Sequence, residues 1–391
     1  MSFPLVTLQP VANARHGWVA LSLDSSGGLD ATSLGRVFCE FGLYDALGGL
    51  PCVVAIDDAP PDLSDYIPAQ DIILRLPVAS CLKANAAPLL RRLQQDGFRL
   101  IADGLPPAGS KLPASVTGIA LDCGSAVMPH ASEHLSQLPS PQLALGIDST
   151  DALARCRDAR FQWFAGSYPL RPSTATGNTK TGAPASAPLL KLLSLVAQDA
   201  ETHDIEMVLR QDAHLSYLLL RLVNSVSFAL TQKISSFGQA LQLLGRRQLQ
   251  RWLQLLLYAN PVAGGASPLL PRAALRAARM EALLRQAGNA DSGGDIADQA
   301  FMAGMFSLLD ALLGKPLLEV VAPLNLADDL AAALLERRGR LGQLLDVVIA
   351  AEGTPASFGP TLAGAGIAPD AWAETLAQSC RWPIQVSRET E

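Results

Sequence analysis

The pattern of apolar and polar positions changes character once along this chain. Up to about residue 172, short apolar runs alternate with helix-like stretches, whereas beyond residue 186 apolar residues recur almost continuously at three- and four-residue spacing. Between them lies STATGNTKTGAPAS, residues 173–186, where small, polar, Gly and Pro residues leave nothing to bury. The expected division is a first domain at 1–172, a flexible linker at 173–186 and a helical domain at 187–391. Two domains also suit the length of 391 residues, since domains usually run between about 100 and 200.

In the first half the pattern predicts strands at 5–9, 18–23, 52–56, 71–76, 98–102, 118–122, 142–147 and 160–164. Helical connectors are predicted at 31–46 and 78–95, the second stopped by Asp96-Gly97. Strands and helices interleaved in this way predict a (β/α)8 barrel. A full barrel of that kind takes about 250 residues, so several helices here must be trimmed or missing. The second half predicts helices at 188–198, 205–211, 215–223, 237–244, 247–258, 272–286, 296–313, 317–321, 327–337, 341–351 and 369–378. The fold class is therefore α/β plus all-α, a truncated barrel followed by a helical bundle.

Composition narrows the picture. Hydrophobic residues make up 49% and charged residues 17%, which excludes disorder. A net charge of −6 gives no broad reason to sit on phosphate backbones or anionic lipid, so neither nucleic acid nor membrane is an expected partner. Basic residues do cluster at Arg246-Arg247 with Arg251, at Arg272, Arg276 and Arg279, and at Arg337-Arg338 with Arg340; these read as solvated helix faces, with a partner surface as the alternative. The cysteines at 39, 52, 81, 123, 156 and 380 lack zinc or redox spacing and read as buried, reduced thiols. MSFPLVTLQP is not a secretion signal, and no apolar run reaches the roughly 20 residues of a membrane span, so the expected location is cytoplasmic.

Ala165-Gly166-Ser167-Tyr168-Pro169-Leu170-Arg171-Pro172 resembles the closing strand and loop of EAL-type cyclic di-GMP phosphodiesterases. Gln9-Pro10, Gly97-Phe98-Arg99-Leu100-Ile101-Ala102-Asp103 and Gly146-Ile147-Asp148 fall in the family's order, so the resemblance covers about residues 4–172. It implies a site where acidic and amide ligands hold two divalent metals. Against that pattern, Val19 of Gly17-Trp18-Val19-Ala20-Leu21 stands where the family has its name-giving glutamate, and Arg75 stands for a metal-binding glutamate. Asp103-Gly104 replaces an aspartate pair, and Ala120 replaces the lysine before Asp122. Asp148 stands for a glutamate and Ala165 for the closing glutamine. Asp103, Asp122 and Asp148 read as strand-end caps or turn residues. The alternative is a mouth that binds cyclic di-GMP weakly without cleaving it, with Arg75 and Arg99 against phosphate.

The second half resembles the HDOD domain, a helical relative of HD-type phosphohydrolases. The resemblance is carried by Asp212, Asn224-Ser225, Ser235 within KISSFGQA, Gly245, and the run from Ala300 through Gly304 and Ser307 to Asp310. Asn224-Ser225 and Ser235-Ser236 suit helix ends, and Gly245 suits a left-handed helix stop. Gly304 and Ser307 permit close helix contact. His203-Asp204 is the one adjacent pair of HD type; it reads as a helix start, because His203 and His214 are the domain's only histidines.

The EAL–HDOD order implies a signalling protein. With both metal sets depleted, the expectation is a regulatory scaffold that is not an enzyme, takes no cofactor and acts on other signalling proteins. The alternative expectation is a non-hydrolysing cyclic di-GMP receptor.

Overall fold

Parallel strands buried on both faces need unbroken apolar runs, and those runs are what this chain folds into a barrel. The computed structural model describes residues 3–58, 60–124, 141–170, 186–198, 200–211, 245, 249–251, 253–254, 268–286, 294–324 and 326–389. Its strands are β1 (Val6–Ala12), β2 (Trp18–Ser25), β3 (Cys52–Ala55), β4 (Ile72–Pro77), β5 (Arg99–Asp103), β6 (Val116–Asp122), β7 (Leu143–Leu145) and β8 (Trp163–Phe164). They close in sequence order. β1 is antiparallel to both its neighbours, and every other pairing is parallel. Ala20, Val53, Ile73, Ile101, Ala120 and Leu143 fill the inside, while Leu21, Leu23, Val54, Leu74 and Leu100 face the outer core.

The trimming expected from length is present. β3 and β4 are joined through a single 3-10 turn, Leu63–Asp65, and no helix lies between β5 and β6. The helix predicted at 31–46 is not one helix: α1 (Ala31–Gly35) runs into a π-helical turn, Arg36–Glu40, and α2 (Leu43–Leu47) starts after Gly42, whose φ of 77° breaks the helix. The stretch predicted at 78–95 likewise splits into α3 (Val78–Cys81) and α4 (Ala86–Gln95). Pro88 explains the split, since proline suits a first turn and disrupts a helix interior. α5 (Thr150–Asp158) precedes β8, with the Ser149 side chain accepting from Ala152 N at its start.

The second half contains α6 (Ser186–Ala197), α7 (Thr202–Gln211), α8 (Leu270–Gln286), α9 (Gly294–Phe306), α10 (Leu309–Leu313), α11 (Leu317–Val321), α12 (Asp328–Glu336), α13 (Gly339–Ala350), α14 (Pro355–Gly364) and α15 (Pro369–Glu389). The predicted helices 215–223 and 237–244, most of 247–258 and nearly all of the linker lie outside the described residues. The predicted 296–313 helix is interrupted around Ser307. α14 was not predicted, although Thr354 before Pro355 is a readable start, its side chain accepting from Ser357 N. α15 runs well past the predicted stop at 378, with Pro383 inside it.

α8 is buried around almost its whole circumference and is the axis of the helical half. α9 crosses it at Gly304, where a Cβ would lie 2.5 Å from the Ala277 backbone. The span Ile296–Leu313 is apolar and long enough to cross a membrane by composition, yet half of it is buried within the protein. α15 packs on α8, α2, β1 and β2. One apolar core therefore joins Leu8 and Leu23 of the barrel to Trp372 and Leu376 of α15. The halves are fused through packing, beyond any covalent linker.

Candidate functional site at the barrel mouth

Barrels of this kind place their chemistry at the carboxyl ends of the parallel strands. Four charged side chains gather there. Asp24 sits near the end of β2, Arg75 near the end of β4, and Asp103 and Asp122 are the last residues of β5 and β6. The registers align them: Leu23 lies opposite Val54, which puts Asp24 level with Ala55, and Ala55 lies opposite Arg75. Arg75 NH2 donates to Asp24 Oδ1, and Arg75 Nε lies 3.1 Å from Asp103 Oδ2. The second contact is ionic, because Nε is not aligned for a hydrogen bond. Ser22 Oγ donates to Asp24 Oδ2 over 2.9 Å and steadies the carboxylate.

The side chain of Arg75 is 9% exposed and that of Asp103 is 37% exposed, so the guanidinium forms the floor and the carboxylates form the rim. Burial raises the Asp103 carboxyl above its ordinary range; Arg75 opposes that shift, while Asp24 and Asp122 add to it. Asp122 is exposed, and its Oδ1 accepts from Gly124 N at 3.0 Å, the turn role expected of it. Gly104 has a φ of 102°, and its N–H donates to Ala120 O over 2.9 Å. Ala120 and Ala165 face the barrel interior. Asp148 is half-buried beyond β7.

Two expected positions are not at this mouth. Val19 lies at the start of β2, five residues or roughly 16 Å along the strand from Asp24. The letters Val-Ala-Leu suggested the family's motif, but they occupy the wrong end of the strand. Asp24 is the acid at the mouth, and counting inward positions along β2 from Ala20 through Ser22 reaches it. Arg99 is also misplaced. It opens β5 opposite Ile73 and lines a cavity of about 60 Å³ with Ile101, Thr117, Leu143 and Trp163, at the amino end of the strands.

The donor set does not fit a two-metal centre. A divalent ion needs several oxygen ligands, whereas the space between Asp24 and Asp103 is held by the Arg75 guanidinium. Among the described residues, no group of three or more His, Cys, Asp or Glu is arranged to hold a metal.

In the helical half, Gly245 has a φ of 69°, the left-handed conformation expected of it. Asp212, Asn224, Ser225 and Ser235 lie outside the described residues. His203 and Asp204 are exposed in the first turn of α7. Asp310 is exposed and accepts from Ala311 N over 2.8 Å. The reading of Arg272, Arg276 and Arg279 as a solvated face is corrected: they are 7%, 4% and 1% exposed, because that face of α8 meets the barrel. Arg251 pairs with Glu281 at 2.6 Å, and Arg338 is largely exposed. Arg246 and Arg247 lie outside the described residues. Of the cysteines, Cys39 is exposed and the other five are buried; all are free thiols.

Residues 187–336 match the HDOD domain family. The chain is 34% identical over 206 residues to Cyclic di-GMP phosphodiesterase CdgJ of Vibrio cholerae, covering 52% of this chain and 46% of that one. It is 32% identical over 143 residues to Uncharacterized protein YuxH of Bacillus subtilis, covering 36% of this chain and 34% of that one. The chain thus spans less than half the length of these curated relatives. Among solved structures, the EAL enzyme Bd1971 in its cGMP-bound form matches with 11% identity and a TM-score of 0.36, over 42% of this chain and 60% of that one. The Xanthomonas citri FimX EAL domain in complex with c-diGMP matches with 14% identity and a TM-score of 0.34, over 42% of this chain and 85% of that one.

The architecture is a closed eight-stranded barrel followed by a helical region that matches the HDOD domain over residues 187–336. α13, α14 and α15 lie beyond the residues the HDOD family matches. The expectation that the chain is not an enzyme is corrected by the relative named Cyclic di-GMP phosphodiesterase CdgJ, which points toward enzymatic activity. That expectation was drawn from metal ligands assigned by letter, one of which, Val19, is not at the mouth.

Proposed function

We propose that this chain works in cyclic di-GMP signalling and that the dinucleotide meets it at the carboxyl end of the barrel. The observation that carries the reading is the Arg75 guanidinium, fixed by Asp24 and Asp103 at the mouth. A guanidinium has five N–H donors, of which Arg75 gives one from NH2 to Asp24 and sets Nε beside Asp103; we assign its remaining donors to a phosphate oxygen. The rim complements the rest of the ligand. Asp122, the exposed acid at the end of β6, is an acceptor beside that guanidinium's strand ends, and the N1–H and exocyclic amine of guanine are donors. The relative named as a cyclic di-GMP phosphodiesterase supports this substrate class.

A hydrogen-exchange footprint of the full chain with cyclic di-GMP and magnesium tests the reading, with linear product followed by chromatography in the same samples. The expected result is slowed exchange at 72–77, 99–104 and 116–124. Exchange there that is unchanged at saturating dinucleotide would overturn it. Product formed in the wild type but not in Arg75→Met would assign turnover to this mouth.

A further inference from the structure

Arg272, Arg276 and Arg279 follow one another at spacings of four and three along α8, and all are buried. Buried guanidinium groups require partners. Arg276 has Glu352, with Nε to Oε1 at 2.6 Å and NH2 to Oε2 at 2.7 Å, and NH1 donates to Ser307 Oγ at 2.9 Å. Arg272 and Arg279 reach across into the barrel and donate to main-chain carbonyls. Arg272 NH2 bonds Gly166 O, just after β8, and Arg279 NH2 bonds Leu8 O in β1.

Those carbonyls lie on either side of the barrel's weakest closure. β1 pairs with β2 through seven residues, but it pairs with β8 only at Ala12 opposite Phe164. Away from that pair, the two strands share donors supplied by α8. Gln9 Nε2 adds a contact to Gly353 O over 2.6 Å, between α13 and α14.

We propose that Arg272 and Arg279 form a clasp that closes the barrel, so that the helical half sets the geometry of the mouth and with it the affinity for the dinucleotide; the affinity part rests on the function proposed above. Each end of the clasp adjoins the site. Leu8 follows Thr7, which lies opposite Asp24 in the β1–β2 ladder, and Asp24 holds Arg75. Gly166 follows Ala165, which faces the barrel interior. The Gly166 end is stiff, since a Cβ there would lie 2.1 Å from Ile147 O. A shift of α8 therefore moves β1 against β8 and carries Asp24 and Arg75 with it. By linkage, an occupant of the mouth acts back on α8 to the same extent.

Backbone hydrogen exchange on the full chain tests this in two arms. In the first, unliganded Arg272→Met and Arg272→Lys are compared with the wild type. Faster exchange at 163–170 and 6–12 in Arg272→Met, and a smaller rise in Arg272→Lys, is the expected result. Exchange at the seam equal to the wild type would overturn the clasp. In the second arm, cyclic di-GMP is added to the wild type. Slowed exchange at 270–286 is expected, with affinity about fivefold or more weaker in Arg272→Met. Binding that leaves 270–286 and the affinity of the variant unchanged would overturn the coupling. Absence of any binding would overturn the proposed function instead, and the first arm would still decide the clasp.

Discussion

Trp372 of α15 donates its indole Nε1–H to the main-chain carbonyl of Val6 over 2.7 Å, a buried bond between residues 366 positions apart. The last described helix thus completes the hydrogen bonding of the first strand. Trp18 N likewise donates to Ser387 Oγ at 3.2 Å. Replacing Trp372 by Phe keeps most of the packing and strands the Val6 carbonyl, at a cost of about 1–3 kcal/mol. Urea denaturation should show that loss as one transition, with far-UV circular dichroism and tryptophan fluorescence moving together. Separate transitions for barrel and helices would contradict the shared core.

Glu352 gives the fold an acid sensitivity. Burial alone would raise its carboxyl, but the Arg276 guanidinium paired with it, helped by Arg272 and Arg279, holds it below the ordinary range. A carboxylate depressed in the folded state stabilises above its unfolded pKa, and that contribution is lost as pH falls through the folded pKa. Glu352→Gln should therefore cost about 3–5 kcal/mol at neutral pH, by leaving Arg276 unpaired. Its stability should also fall less steeply on acidification than that of the wild type, which denaturation curves at stepped pH would read.

Gly304 is the contact point of α8 and α9. An added methyl would meet the Ala277 backbone, which cannot swing aside as a flexible side chain can. Gly304→Ala should cost about 1–3 kcal/mol through overpacking, despite the better helix propensity of alanine. Thermal melting against Gly364→Ala, where nothing lies within 4 Å of the added atom, supplies the control.

Arg99 tests which end of the barrel matters. It lies at the amino ends of the strands, away from Arg75, Asp24 and Asp103. Arg99→Ala should leave cyclic di-GMP affinity within about twofold of the wild type, since it removes no group at the mouth. A tenfold loss by fluorescence titration would place the ligand at the other end.

The barrel was legible because strands buried on both faces leave apolar runs, and eight such runs were read at or near the observed strands. The site was less legible. Asp24 was missed because the motif was sought by its letters rather than by the end of the strand that faces the mouth. The α8 arginines were misread because charge on a helix looks solvated until the carbonyls of Leu8 and Gly166 are seen opposite it. Pro383 hid the length of α15 in the same way, since a proline usually argues for a stop.

Calorimetric titration of cyclic di-GMP into the full chain and into Arg75→Met, in magnesium, decides whether the dinucleotide is held at the barrel mouth. Saturable binding to the wild type and at least a tenfold weaker affinity in the variant, about 1.4 kcal/mol, are expected. Equal binding by the two proteins, or no heat from either at high micromolar ligand, would contradict that placement.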